Sequence, residues 1–279
     1  MNNSNKTINS LWIGNELENL ELLTLHSFIA HGHIFQLWTY SKDFKNLPKG
    51  VVLCDANKII PQDKIFKYKY GGKKGLGKGS YAGFADIFRF KLLYEIGGWW
   101  VDMDVTCLKA FDFEEEYVFR NHDYFLCANN VMKCPPKSPF MKLCYEETDK
   151  LINEENRIWA KPSEILSNNL IKFGLTKYLK KNMINPDRWE LVELYKNYSF
   201  KINSNFYAIH WMNEEWRRAN TKKNEAKKNS LYEKMLINYG LDFKETEESS
   251  KRFRFFYLIG RLNLILVLRA WTKMRFYSS

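Results

Sequence analysis

Short apolar runs alternate with stretches of helical spacing through the first hundred residues. Leu11-Trp12-Ile13-Gly14 reads as a buried-type strand, and Leu17 to His31 carries Leu17, Leu20, Leu23 or Leu25, and Phe28 at helical intervals. Ile34 to Tyr40 is strand-like again. Val51-Val52-Leu53-Cys54-Asp55 is a third apolar run, ending in a carboxylate. Tyr81 to Ile96 predicts a helix with Phe84, Ile87, Phe88, Leu92 and Ile96 on or near its buried side. Gly97-Gly98 stops it, and Trp99-Trp100-Val101 predicts a buried strand that enters Asp102-Met103-Asp104. Beyond it, residues 111–127 look like strand and loop, while Ser138 to Ile152 and Ser163 to Lys181 look helical. Phe206 to His210 is a late short strand before Trp211 to Trp216. No internal repeat is visible. Such alternation predicts an α/β sandwich with parallel strands. In such sheets ligands collect beyond the carboxyl ends of the strands, where Gly14, Asp55 and Asp102 fall.

Composition narrows the class. Among 279 residues 45% are apolar, only 14 are Gly and 7 Pro, and the mean hydropathy is -0.46, which excludes disorder, collagen-like repetition and a polytopic membrane protein. The apolar stretches near the C-terminus, Phe255 to Gly260 and Leu262 to Leu268, are too short to span lipid. Met1 to Lys6 holds no apolar segment resembling a signal peptide, so a cytoplasmic protein is expected. Cys54, Cys107, Cys127, Cys134 and Cys144 show no zinc-type spacing and are expected as reduced thiols packed as small hydrophobes.

The net charge of +11 is unevenly placed. Seven basic residues and no acidic one lie from Lys251 onward, leaving +4 for residues 1–250, a weak basis for a nucleic-acid surface. On a helical wheel Arg254, Arg261, Arg269 and Lys273 share one arc, with Phe253, Phe256, Leu264, Val267, Trp271 and Met274 opposite. That pattern predicts two parts: a single domain over residues 1–250, and a basic amphipathic helix over 251–279 lying on the anionic inner face of a membrane.

Two segments invite a chemical reading. Gly71-Gly72-Lys73-Lys74-Gly75-Leu76-Gly77-Lys78-Gly79-Ser80 opens like a phosphate loop, but Gly79 stands where a Ser or Thr hydroxyl is needed, so a basic loop beside an anionic site is the better reading. Asp102-x-Asp104 matters because an apolar strand feeds straight into it. Two carboxylates converge on one ion only where a strand breaks into a turn, and hard oxygen ligands suit magnesium or manganese holding a diphosphate. Asp102-Met103-Asp104-Val105-Thr106 also fits the Asp-nucleophile phosphatase string. That chemistry needs a second acidic element, and the chain contains no Gly-Asp and no Asp-Asp dipeptide.

The block from Ala85-Asp86-Ile87-Phe88-Arg89 through Gly97-Gly98-Trp99-Trp100-Val101-Asp102-Met103-Asp104 resembles the signature of glycosyltransferase family 32, which the large clostridial glucosylating toxins share. Ala85 replaces the usual Ser and Trp100 the usual Tyr. Leu11-Trp12-Ile13-Gly14 looks like the toxins' opening strand, and Ala208-Ile209-His210-Trp211 with Trp216 resembles the family's late His element, with Glu215 where Ser is usual. The resemblance implies a GT-A-type, Rossmann-like α/β/α fold with helical insertions. It also implies a retaining transferase that moves a hexose or N-acetylhexosamine from a nucleoside diphosphate sugar, UDP-sugar favoured, to a glycan hydroxyl. The acceptor expected is a lipid-carried glycan of bacterial capsule or lipopolysaccharide. By the same resemblance Asp104 is the principal ligand of Mn2+ or Mg2+, with Asp102 sharing the metal or holding donor hydroxyls and His210 approaching from the other side. Asp86 and Arg89 are assigned to donor hydroxyls and the phosphate side, Trp12 to the nucleotide base, and Trp216 to the leaving phosphate. A non-catalytic basic protein on a degenerate fold is the rival reading. Intact Asp86, Arg89, Asp102, Asp104 and His210 speak against it.

Overall fold

The computed structural model describes residues 3–72, 75–122, 125–181, 183–185 and 192–248. They form two compact units, one of the described residues up to 185 with 202–223, the other of 192–201 with 224–248. The helix expected over 251–279 lies outside the described residues.

The first unit runs α1 (Asn3–Lys6), β1 (Thr7–Trp12), α2 (Asn19–Ala30), β2 (Ile34–Thr39), β3 (Val51–Asp55), α3 (Ala82–Ile96), β4 (Gly98–Val101) and β5 (Val105–Cys107). It continues with β6 (Val118–Asn121), β7 (Cys127–Cys134), α4 (Pro139–Leu151), α5 (Lys161–Lys172), β8 (Leu179–Lys180) and β9 (Ile184–Asn185). Seven strands make one sheet in the order β3-β2-β1-β4-β7-β6-β8. β3, β2, β1 and β4 are mutually parallel, whereas β7 runs antiparallel to both β4 and β6. The α/β class expected from the sequence is therefore present. The departure from an all-parallel sheet is β7, which runs against both neighbours while β6 and β8 keep the direction of β4.

Trp99 and Trp100 show why the strands read as unbroken apolar runs. Successive side chains point to opposite faces, so Trp99 enters the core with Ile8, Phe28 and Phe35, and Trp100 enters the other core with Leu11, Phe88 and Met132. A parallel sheet covered on both faces needs apolar residues at both parities. Strand β3 does not follow this rule. It is the edge strand, and Val52 and Leu53 remain 43% and 38% exposed. Gly97 and Gly98, at φ 71° and 83°, end α3 in a conformation open chiefly to glycine, and a Cβ on Gly97 would meet the Pro136 nitrogen at 2.4 Å. The helix predicted over 163–181 stops at Lys172. Gly174, at φ 66°, turns the chain while Leu175 N–H reaches back to the Leu170 carbonyl, and the residues beyond pass into β8.

A smaller sheet, β5-β10-β9, positions the site. Strand β10 (Ala208–His210) runs antiparallel to β5 with His210 opposite Val105, so the late segment lands beside Asp104; helix α7 (Asn213–Arg218) follows it. In the second unit α6 (Val192–Asn197) and α8 (Leu231–Asn238) pack with the parallel pair β11 (Glu225–Lys227) and β12 (Lys244–Thr246). Ser230 caps α8 by accepting the Glu233 N–H at 3.0 Å. All five cysteines are free thiols, four of them buried. Among the described residues no helix is long and apolar enough to cross a membrane.

Candidate active site

Strand β4 gives out at Val101, and the chain turns through Asp102-Met103-Asp104 at the carboxyl edge of the sheet. Helix α2 fixes that turn from one side. Thr24 donates its hydroxyl to the Met103 carbonyl at 2.9 Å and accepts the Val105 N–H at 3.1 Å, and Ser27 accepts the Cys107 N–H at 2.8 Å. Glu21, Thr24 and Ser27 lie three apart on α2, so its buried face is polar where it meets the turn.

Asp102 faces α3. Its Oδ1 accepts the Trp100 indole N–H at 2.7 Å and lies 3.2 Å from the Arg89 guanidinium. The same guanidinium is 3.2 Å from Asp86, donates to the Asn129 carbonyl at 2.7 Å, and stands 5.1 Å over the Trp100 ring. Asn129 in turn donates to Asp86 Oδ1 at 2.8 Å. Arg89, expected on the phosphate side, thus commits its donors to protein acceptors and is buried. Burial pushes the Asp86 carboxyl up to about 7, Asp102 adding to the rise against Arg89 and Asn129. Burial and the neighbouring Asp104 also raise Asp102, against Arg89, Trp100 and His210.

Asp104 faces the late segment. Its Oδ2 accepts the Asn213 N–H at 2.7 Å and lies 3.3 Å from His210 Nε2, while its backbone carbonyl accepts the Trp211 N–H at 2.9 Å. Burial pulls its carboxyl upward, yet the charge and hydrogen bond of His210, the Asn213 N–H and Lys223 outweigh that and hold it below the usual range. Three atoms here lack a hydrogen-bond partner although buried: Asp104 Oδ1, His210 Nδ1 and Asn213 Oδ1.

The unpaired Asp104 oxygen tests the metal expectation. Among the described residues no cluster of three His, Cys, Asp or Glu side chains is arranged to hold a metal, because Asp102 is turned toward Arg89 and Trp100. A free Asp104 oxygen beside a second carboxylate fits instead a divalent ion that is held by one or two carboxylates and completes its shell with phosphate oxygens.

The two tryptophans part company. Trp12 is half-buried at the end of β1, gives its N–H to the Glu16 carbonyl at 3.0 Å, and has Lys223 Nζ 5.9 Å from its ring centroid. Trp216, expected to donate to a leaving phosphate, is 1% exposed and gives its N–H to the Trp211 carbonyl at 2.8 Å. Its indole is therefore packed inside and braces the turn that carries Asn213.

Sequence reasoning missed Asn129, Asn213, Thr24 and Lys223. Lys223 lies 2.5 Å from the buried Glu21 carboxylate and 3.2 Å from Glu18. The one signal available was the polar triplet Glu21, Thr24, Ser27 inside an otherwise apolar helix. A backbone N–H such as that of Asn213 leaves no sequence signal at all.

Residues 36–125 match the family model of the glycosyltransferase sugar-binding region containing the DXD motif. The match includes Asp86, Arg89, Asp102 and Asp104, and excludes Trp12, His210 and Trp216. No curated protein sequence matches the chain. Among solved structures the chain is similar to PaToxG glycosyltransferase, at 16% identity and a TM-score of 0.43 over 60% of this chain and 68% of that one. It is also similar to a transferase carrying two cysteine-to-serine substitutions, at 11% identity and a TM-score of 0.40 over 62% of this chain and 86% of that one.

Proposed function

We propose that this protein is a metal-dependent, retaining glycosyltransferase that moves a hexose or N-acetylhexosamine from a nucleoside diphosphate sugar, preferably a UDP-sugar, to a glycan hydroxyl. The observation that carries this reading is the Asp102–Asp104 turn at the carboxyl end of β4, with one buried Asp104 oxygen unpaired, inside the stretch that matches the DXD family. The divalent ion supplies neutralisation of charge that grows on the departing diphosphate.

The chain's own residues supply the rest. His210, Asn213 N–H and Lys223 keep Asp104 ionised despite burial, so its free Oδ1 is ready to hold a cation. Arg89 and Trp100 fix the orientation of Asp102, leaving its remaining lone pairs for donor hydroxyls. Asp86 is fixed by Arg89 and Asn129 and serves the donor sugar or ribose in the same way. Trp12 offers its half-buried ring to the base. No side chain here stands out as a nucleophile, so retention follows from departure of the diphosphate and attack on the same face. The biological setting we infer is capsule or lipopolysaccharide synthesis at the inner membrane face, with residues 251–279 as the membrane contact.

Screening nucleotide sugars for manganese-dependent release of free nucleotide tests the reading. One donor should be hydrolysed, and chelator should abolish the release. Hydrolysis at full rate in chelator, or none with any donor, overturns it.

A further inference from the structure

We propose that the acceptor is an anionic glycan, held by a collar of lysines on the same rim of the sheet as the carboxylate turn; this rests on the glycosyltransferase reading above. Between residues 42 and 78 the sequence carries ten lysines against three aspartates and no other formal charge. The modest +4 of residues 1–250 conceals this concentration.

Topology places it. Strands β2 and β3 are parallel to β1 and end in register, with Trp12 opposite Thr39 and Thr39 opposite Asp55. The chain therefore leaves both strands on the rim where β4 delivers Asp102. The 3-10 turn Ala56–Lys58 follows directly on Asp55, and α3, which carries Asp86 and Arg89 near its start, begins on that rim too. Residues 40–45, 56–72 and 75–81 accordingly run along the carboxyl edge, while Lys49 leads into β3 at the opposite end.

Two of the rim lysines are neutralised: Lys45 by Glu16 at 3.0 Å, and Lys69 by Glu155 at 2.8 Å and Glu154 at 3.3 Å. Lys42, Lys58, Lys64, Lys67 and Lys78 are exposed and have no carboxylate within ion-pair distance among the described residues. Lys42 and Lys58 converge, since both act on the carboxylate of Asp55, which is itself occupied by the Asn57 N–H and side chain. Lys67 stands 4.7 Å over the ring of Tyr81, at the threshold of α3.

The form of the collar indicates its ligand. No lysine is sunk in a cradle that would grip one small anion. Separate exposed charges, each weak alone, sum over a chain that presents anionic groups repeatedly and steer it toward the site. A bilayer would need apolar side chains to insert. Along 56–81 the only exposed large apolar residue among those described is Tyr70, and the Arg157 guanidinium covers its ring at 4.3 Å. A carboxylate- or phosphate-bearing oligosaccharide fits this surface better than a lipid surface does.

The test compares the full chain with its Lys42→Gln/Lys58→Gln/Lys64→Gln/Lys67→Gln variant. The readouts are affinity for oligogalacturonate, for neutral maltooligosaccharide and for phosphatidylglycerol vesicles, together with acceptor-free donor hydrolysis. The wild type should bind oligogalacturonate over the neutral oligosaccharide, the variant should bind it about tenfold more weakly at low salt, and hydrolysis should not change. If the quadruple variant loses its circular dichroism signature, the K42Q/K58Q pair gives the same comparison with an expected loss of about threefold. An active wild type whose oligogalacturonate binding ignores these substitutions overturns this inference alone. The same holds if the loss appears with vesicles only, or if single-stranded DNA is preferred to the oligosaccharide. A wild type that hydrolyses no donor yet binds through the collar overturns the transferase reading instead.

Discussion

Asp102 and Asp104 stand two residues apart, yet the two halves of the site they head are built in opposite ways. On the Asp102 side, Arg89, Asp86, Asn129 and Trp100 close a network in which each group serves its neighbours. On the Asp104 side, His210 and Asn213 approach one oxygen and leave Oδ1 and the His210 Nδ1 buried without partners. Buried polar atoms are rarely left unpaired, because each costs about 1–3 kcal/mol. The closed half is therefore a frame that the protein completes by itself, and the open half keeps a buried oxygen for a ligand.

Substitutions that treat the halves alike would break this contrast. The largest effect is expected from Asp104→Asn, which keeps the shape and removes the charge. Nucleotide release should fall by about a hundredfold or more, as for other lost electrostatic contacts to a developing charge, with melting temperature nearly unchanged. Arg89→Met should act in the reverse order. It strands the buried Asp86 carboxylate and the half-buried Asp102, and losing one partner of a buried pair costs about 3–5 kcal/mol, so chemical denaturation should shift well before kinetics become measurable. If Asp104→Asn destabilises as much as Arg89→Met, the division into frame and open site is wrong.

Asp86 sharpens the contrast through pH. Its carboxyl is raised from the ordinary range to about 7, so the folded state holds that proton more tightly than the unfolded chain. The stability it contributes is full below its unfolded value, near 4, and is lost as pH rises through about 7. Asp86→Asn should remove that slope, so that urea midpoints of variant and wild type diverge between pH 5 and pH 8. Parallel midpoints across the range would show Asp86 to be ionised throughout. The smallest effect is at Trp12→Ala, which should weaken donor binding by about 1–3 kcal/mol in a calorimetric titration without unfolding the chain, the usual worth of stacking on a base. Unchanged affinity would return that ring to the core.

The closed half was readable in the sequence because its residues sit on regular elements: Asp86 and Arg89 as polar exceptions on an apolar helix, Asp102 at the end of an apolar strand. The open half was readable only in part. His210 could be singled out, but its register against Val105 depends on a sheet formed by β5 and β10, about a hundred residues apart. The Asn213 N–H and the internal hydrogen bond of Trp216 belong to backbone geometry, which no residue type announces. β3 illustrates a different limit. Its apolar run announced a strand, but whether a strand lies inside a sheet or at its edge is decided by partners elsewhere. The ten lysines were plain to count, yet the rim shared by Lys42, Lys58, Lys64, Lys67 and Lys78 emerged only once β2 and β3 were known to be parallel.

The hydroxyl of Thr24 both gives to Met103 and receives from Val105, pinning the backbone on either side of Asp104. The shape of the turn is thereby settled during folding, before any donor arrives. A visiting nucleotide sugar need not pay the conformational entropy of organising its own receptor. Replacing Thr24 by Val, nearly equal in size, would hand that entropic task back to the ligand, and the result would be slower capture with the same side chains still in place.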